Sequence, residues 1–149
     1  MSTGMRPAPA VVRPYQFPDV HEATLANGIR LLVAPMPRLP IVTALALVDA
    51  GATGDPAGRE GLAALTARAL AEGCGALDGA AIADRFEGLG TSFDASADWD
   101  STVARITVTP ARLEAAFALF AELLQAPSFP ELDVERKREE RLDDLTQLL

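Results

Sequence analysis

Apolar and polar positions change their period several times along this chain, and each change marks an element. His21 to Leu25 alternates weakly and runs into Asn27-Gly28, a pair suited to a tight hairpin turn, so Ile29 to Ala34 is the expected return strand. After the connector Pro35-Met-Pro-Arg-Leu-Pro40, the run Ile41 to Asp49 is apolar at nearly every position, which predicts a strand central in a sheet. Ala50 to Gly61 holds four glycines and Pro56 and reads as a loop. The period then turns helical: Leu62, Leu65, Ala69 and Leu70 mark a buried face, with a stop at Gly73 or Gly75. A second helix runs from Asp78, a good N-cap, to about Glu87, where Gly88-Leu-Gly90 ends it. Strands follow at Ser92 to Ala97 and Ser101 to Thr109, joined by a turn at Asp98-Trp-Asp100. Pro110 opens a third helix with Leu113, Ala116, Phe117, Phe120 and Leu124 on one stripe. Pro127-Ser-Phe-Pro130 separates it from a last helix that starts at Glu131.

Three strands, two helices, two strands and two helices make an α+β domain, a mainly antiparallel sheet with helices packed on one face. Residues 1–18, interrupted by Pro7, Pro9 and Pro14, read as a flexible N-terminal arm, and residues 19–149 as the front part of one domain. The last helix closes on Leu148-Leu149 without a polar exit, which predicts a truncated stretch of a longer protein. On that reading Leu142, Leu145 and Leu148 expose apolar surface and favour self-association or a partner.

Composition narrows the function. With 149 residues, 49% hydrophobic and 23% charged, the chain has the profile of a globular domain with a real core. Its net charge of -8 argues against nucleic acid, whose phosphates call for a basic stripe. Nothing approaches the length of a membrane span or the apolar run of a secretory signal, which leaves the cytoplasm as the default location. Cys74 is the one cysteine, so no internal disulfide is possible; between two glycines it reads as a small packed residue. There is no G-x-S-x-G, no Walker A loop and no nucleophile beside a plausible base. His21 is the only histidine and stands far in sequence from the first helix.

Several phrases, in order, carry a resemblance. They are Leu25-Ala-Asn-Gly-Ile-Arg-Leu-Leu-Val33, Val48-Asp-Ala-Gly-Ala52, Asp55-Pro-Ala-Gly-Arg-Glu-Gly-Leu-Ala63, Asp100-Ser-Thr102 and Pro127-Ser-Phe-Pro-Glu131. From about residue 20 onward the chain resembles the N-terminal domain of the insulinase family of zinc peptidases, which includes pitrilysin and the mitochondrial processing peptidases. In active members the helix after Gly-Leu-Ala carries H-x-x-E-H, with two histidines on one face for zinc and a glutamate that takes a proton from the metal-bound water. A further glutamate ligand comes from the long helix after Pro-Ser-Phe-Pro.

Carried over by position, the first histidine is Ala64, the glutamate Ala67, the second histidine Arg68, and the third ligand falls near Asp144. Alanine has no donor atom and arginine keeps its proton, so the resemblance implies no catalytic residue and no zinc in this chain. Arg68 and Asp144 face each other in the family fold, either as an ion pair that replaces the metal as a brace or as two solvated charges. In Glu135-Arg-Lys-Arg-Glu-Glu-Arg141 the mixed signs predict an exposed helix face with pairs such as Arg136 to Glu140.

The family commonly forms a clamshell of a zinc-bearing half and a degenerate half that helps hold substrate. The resemblance therefore implies a pseudo-peptidase subunit that pairs with a homologous zinc-bearing subunit, zinc being expected only there or in a missing part. A structural core-type subunit, or the front of a longer peptidase with zinc elsewhere, are the alternatives. It also implies a peptide-binding edge at Phe93, Asp94, Ala95 and Ser96, where an extended peptide adds to the sheet through backbone groups. The competing reading is an unused edge guarded by Asp94 and Asp98.

Overall fold

The computed structural model describes residue 14 and residues 16–147, so most of the expected N-terminal arm, and Leu148 and Leu149, lie outside the described residues. The chain divides into two compact units, residues 1–39 and 40–149. In the first, β1 (His21–Thr24) and β2 (Arg30–Val33) pair antiparallel, His21 opposite Val33. The turn forms at Asn27-Gly28 as the sequence predicts: the Asn27 side chain accepts the N–H of Ile29 at 3.2 Å.

The second unit is built on a three-stranded antiparallel sheet of β3 (Val42–Val48), β6 (Asp94–Ala97) and β7 (Thr102–Val108), in the order β3-β7-β6. The central strand is thus β7, and β3, expected at the centre, stands at one end. Its apolar run has a different cause. Val42, Ala44 and Ala46 turn toward the helices, while Leu45 and Leu47 lie on the opposite, exposed face.

The remaining elements are α1 (Leu62–Ala69), a short hairpin of β4 (Gly73–Cys74) and β5 (Leu77–Asp78), α2 (Gly79–Gly88), α3 (Leu113–Gln125) and α4 (Glu131–Thr146). Asp78 caps α2 as expected, accepting the N–H of Ala81 at 2.8 Å. Ala104, Ile106 and Val108 of β7 bury against Ile82 and Phe86 of α2 and Ala116, Leu119, Phe120 and Leu123 of α3. The stripe on α3 is therefore turned from the one expected, and Phe117 is half exposed. On α1 the buried residues are Ala67 and Ala69, with Leu70 just after, while Leu62 is exposed. Small residues face inward there because α1 lies close to β6 and β7 on one side and α4 on the other.

Two close approaches lock the connections. Gly73 accepts the N–H of Ser128 at 2.9 Å, and Cys74 bridges Pro127, so the Pro127-Ser-Phe-Pro130 connector is pressed onto the exit of α1. A Cβ on Gly73 would stand 2.8 Å from the Pro130 ring and overlap the Ser128 hydroxyl. The second approach is at Gly51, which is buried where the loop after β3 meets the β6–β7 turn. A Cβ there would stand 2.6 Å from the Asp100 carbonyl carbon and overlap Ser101 N and Trp99 O. Because those neighbours are backbone atoms tied into the turn, they cannot step aside. Gly51→Ala is expected to destabilise the protein by about 1–3 kcal/mol in urea unfolding, the usual cost of overpacking a fixed site. Gly54→Ala is the control, since nothing lies within 4 Å of its would-be Cβ. Equal midpoints for the two variants would show that the loop at Gly51 yields.

Candidate functional site

The site begins at the entry to α1. Asp55 accepts the N–H groups of Gly61 at 2.7 Å and Ala63 at 2.9 Å, so a carboxylate from the preceding loop satisfies donors of the first turn. Glu60 accepts the N–H of Gly58 at 3.0 Å, and this bond, with its own backbone N–H, holds its carboxyl below the usual range. These contacts set the start of the helix and the direction in which its side chains point.

Ala64 is half-buried, Ala67 is 2% exposed, and Arg68 points outward. The Arg68 guanidinium donates to Asp144 of α4 at 2.9 Å, side chains 37% and 50% exposed. Of the two arrangements open from sequence, the structure forms the ion pair. At that exposure such a pair contributes on the order of 0.2–1 kcal/mol. It braces α1 against α4 without holding them together by itself.

Zinc requires imidazole, thiolate or carboxylate donors in a tetrahedral set. Here the four positions supply two methyl groups, a guanidinium with donors only, and a carboxylate already bonded to it. The residues present do not fit the metal. Among the described residues no three His, Cys, Asp or Glu side chains come together to hold an ion. His21 is an exposed residue of β1, in the other unit.

A stronger tie between α1 and α4 lies one turn away. Glu72, its side chain only 14% exposed, pairs with Arg136 at 2.6 Å and Lys137 at 3.2 Å. Arg136 also reaches Asp133 and Glu140, and Lys137 reaches Glu140. The two cations hold the Glu140 carboxyl below its ordinary range, the Lys137 hydrogen bond first. The pair Arg136 to Glu140 was legible in the sequence, at i, i+4; the partner Glu72 was not. Only the return of α4 along α1 brings it within reach.

Of the residues expected to form a peptide edge, Asp94, Ala95 and Ser96 lie on β6 and Phe93 just before it. This strand pairs with β7 alone, Ala95 opposite Ala104 and Ser96 opposite Val103, and its other edge has no strand among the described residues. The Phe93 ring turns inward, 6.0 Å from both Phe86 and Phe120. Asp94 pairs with Arg105 at 2.9 Å on the exposed face, where Ser96 also lies. Its free edge offers backbone groups, while its exposed face carries the side chains of Asp94 and Ser96. A shallow hollow at its start is lined by Thr91, Ser92, Asp94, Arg105 and Thr107. Cys74 is buried, and burial raises its thiol pKa, as expected of a packed residue rather than a nucleophile.

The family model described as Insulinase (Peptidase family M16) matches residues 33–148. A peptidase M16 inactive domain from Pseudomonas fluorescens is similar at 33% identity and a TM-score of 0.80, over 85% of this chain and 31% of that one. A protease from Helicobacter pylori, at 21% identity, has a TM-score of 0.77 over 87% of this chain and 31% of that one. Pitrilysin, at 24% identity, has a TM-score of 0.74 over 87% of this chain and 14% of its own. The last two share the fold, and all three are at least three times as long as the part matched. No curated protein sequence matches. With its antiparallel sheet, its helices and a family match over most of its length, the chain belongs to the insulinase family, peptidase family M16.

Proposed function

We propose that this chain is a non-catalytic part of an insulinase-type metallopeptidase, acting beside a homologous half that carries the zinc. The observation that carries the reading is the Arg68–Asp144 pair: a guanidinium occupies the helix position of a metal ligand and engages the one surviving carboxylate. The likeness to a relative described as an inactive M16 domain supports it. In this role α1 and α4 keep their packing and present a closed, metal-free face to the chamber. The free edge of β6, close to α1, holds an extended peptide by its backbone N–H and C=O groups.

The direct test is reconstitution. The chain is expressed with and without an H-x-x-E-H relative encoded in the same genome, and cleavage of unfolded peptides is followed. Activity is expected from the combination and not from this chain alone. A relative equally active without the chain would leave it no part in proteolysis.

Two predictions concern the site itself. After dialysis at neutral pH the purified chain should retain far less than one zinc per molecule by elemental analysis, and stoichiometric zinc would defeat the reading. The double variant Ala64→His, Arg68→His places two imidazoles one turn apart facing Asp144 and leaves the buried Ala67 untouched, so zinc uptake is expected to appear. If it binds no more zinc than wild type, the helix pair no longer keeps the family's ligand geometry.

For the peptide edge, Ala95→Pro removes a backbone N–H and is expected to weaken peptide binding by the assembled pair. Melting is followed alongside to separate this from unfolding. Unchanged affinity in a folded variant would make β6 a structural edge and place peptide contact wholly on the zinc-bearing half.

A further inference from the structure

The turn between β6 and β7 is held more firmly than its own side chains explain. Asp98 N–H donates to Ser101 O at 2.8 Å, and Trp99 N–H to the Asp98 carboxylate at 2.8 Å. From the loop after β3, Ala52 N–H donates to Asp98 O, and Thr53 donates to Trp99 O through both its N–H and its hydroxyl, each at 2.9 Å. Gly51 closes the gap from below. Yet Trp99, the chain's only tryptophan, is 72% exposed on this platform. The bonds that fix the turn use the backbone of residue 99 and would form with almost any side chain. The backbone bonds account for the turn, and among the described residues they make no use of the indole.

The charged residues beside it in the chain carry one sign, although the Asp98 carboxylate also accepts the Trp99 N–H and that of Asp100 the Thr53 hydroxyl at 3.4 Å. Asp98 and Asp100 flank Trp99, and Asp49 follows Val48, which pairs with Thr102 at the same end of the sheet. Among the described residues none of these three carboxylates takes part in an ion pair. An indole ring is the best aromatic face for a cation, and a ring on a preformed turn loses little freedom when it is covered.

We propose that the Trp99 turn is a docking anchor for an arginine- or lysine-bearing segment of a partner protein. The cation lies on the indole face, and the carboxylates of Asp98, Asp100 and Asp49 surround it. The charge ring sets the sign of the partner and speeds its encounter, and the indole supplies the desolvated contact. This inference stands apart from the proposed peptidase role, because it uses neither α1 nor the edge of β6.

The single tryptophan makes the test local. Chain labelled with 5-fluorotryptophan gives one fluorine resonance, which is titrated with a short peptide of alternating arginine and glycine and with its glutamate counterpart. A saturable shift is expected with the arginine peptide only, and it should fade in about 0.5 M NaCl. Fluorescence anisotropy of the labelled peptide should show a Kd raised about tenfold by Trp99→Ala and several-fold by Asp98→Asn with Asp100→Asn. Asp84→Asn with Glu114→Gln removes the same charge elsewhere on the exposed surface and should change little. Absence of a saturable shift in the wild type would overturn the proposal. So would an equal loss of affinity in the control pair, which would reduce the effect to the chain's general acidity.

Discussion

Gly73 and Cys74 meet Pro127 and Ser128 with no room for another carbon, and the path of the chain beyond α3 depends on that meeting. The contact joins the exit of α1 to the entry of α4 across more than fifty residues of intervening structure. A proline at each end of the connector limits its backbone, and the buried Cys74 bridges Pro127. From that point α4 can only run back along α1. Glu72 then finds Arg136 and Lys137, and further along Arg68 finds Asp144. The charges do not bring the helices together; the close-packed glycine does, and the charges register them.

This order of causes explains how α1 and α4 pack together with no metal between them. In a zinc enzyme, ligands on two helices share one ion, and the ion adds to the stability of the packing. Here the helices are already held by the Gly73 junction and by the Glu72 cluster, where the glutamate is largely shielded from water. The half-exposed Arg68–Asp144 pair contributes little on its own and is not required to contribute more. Ala67 belongs to the same packing. Its methyl group is buried, as is that of Ala69, so the interior face of α1 serves packing.

The β6–β7 hairpin makes its contacts available at the surface. Among the described residues β6 keeps an open backbone edge, with Phe93 just before it turned into the core and a salt bridge across its exposed face. At the far end of the same hairpin the arrangement reverses: the backbone of Asp98 and Trp99 is hydrogen-bonded and the side chain of Trp99 is exposed. Two ends of one hairpin thus offer opposite kinds of contact, main-chain hydrogen bonds at one and an aromatic face among carboxylates at the other.

The sequence by itself determined the order of elements, the Asn27-Gly28 and Asp98–Asp100 turns, the cap at Asp78 and the absence of zinc donors at Ala64, Ala67 and Arg68. Each is a local matter of period, turn chemistry or the atoms a side chain carries. It did not determine which strand lies at the centre. An apolar run such as that of β3 looks the same whether both faces are buried or one is left open, and only the pairing with β7 decides. Nor did it show the β4–β5 hairpin, two residues a strand, which is too short to have a period. Phe117 and Leu62 fit helical stripes, but the buried arc is chosen by what each helix packs against: the sheet for α3, and the sheet together with α4 for α1. The Glu72 cluster and the Gly51 and Gly73 junctions were out of reach for the same reason, since each joins residues distant in sequence whose meeting exists only once the chain has closed on itself.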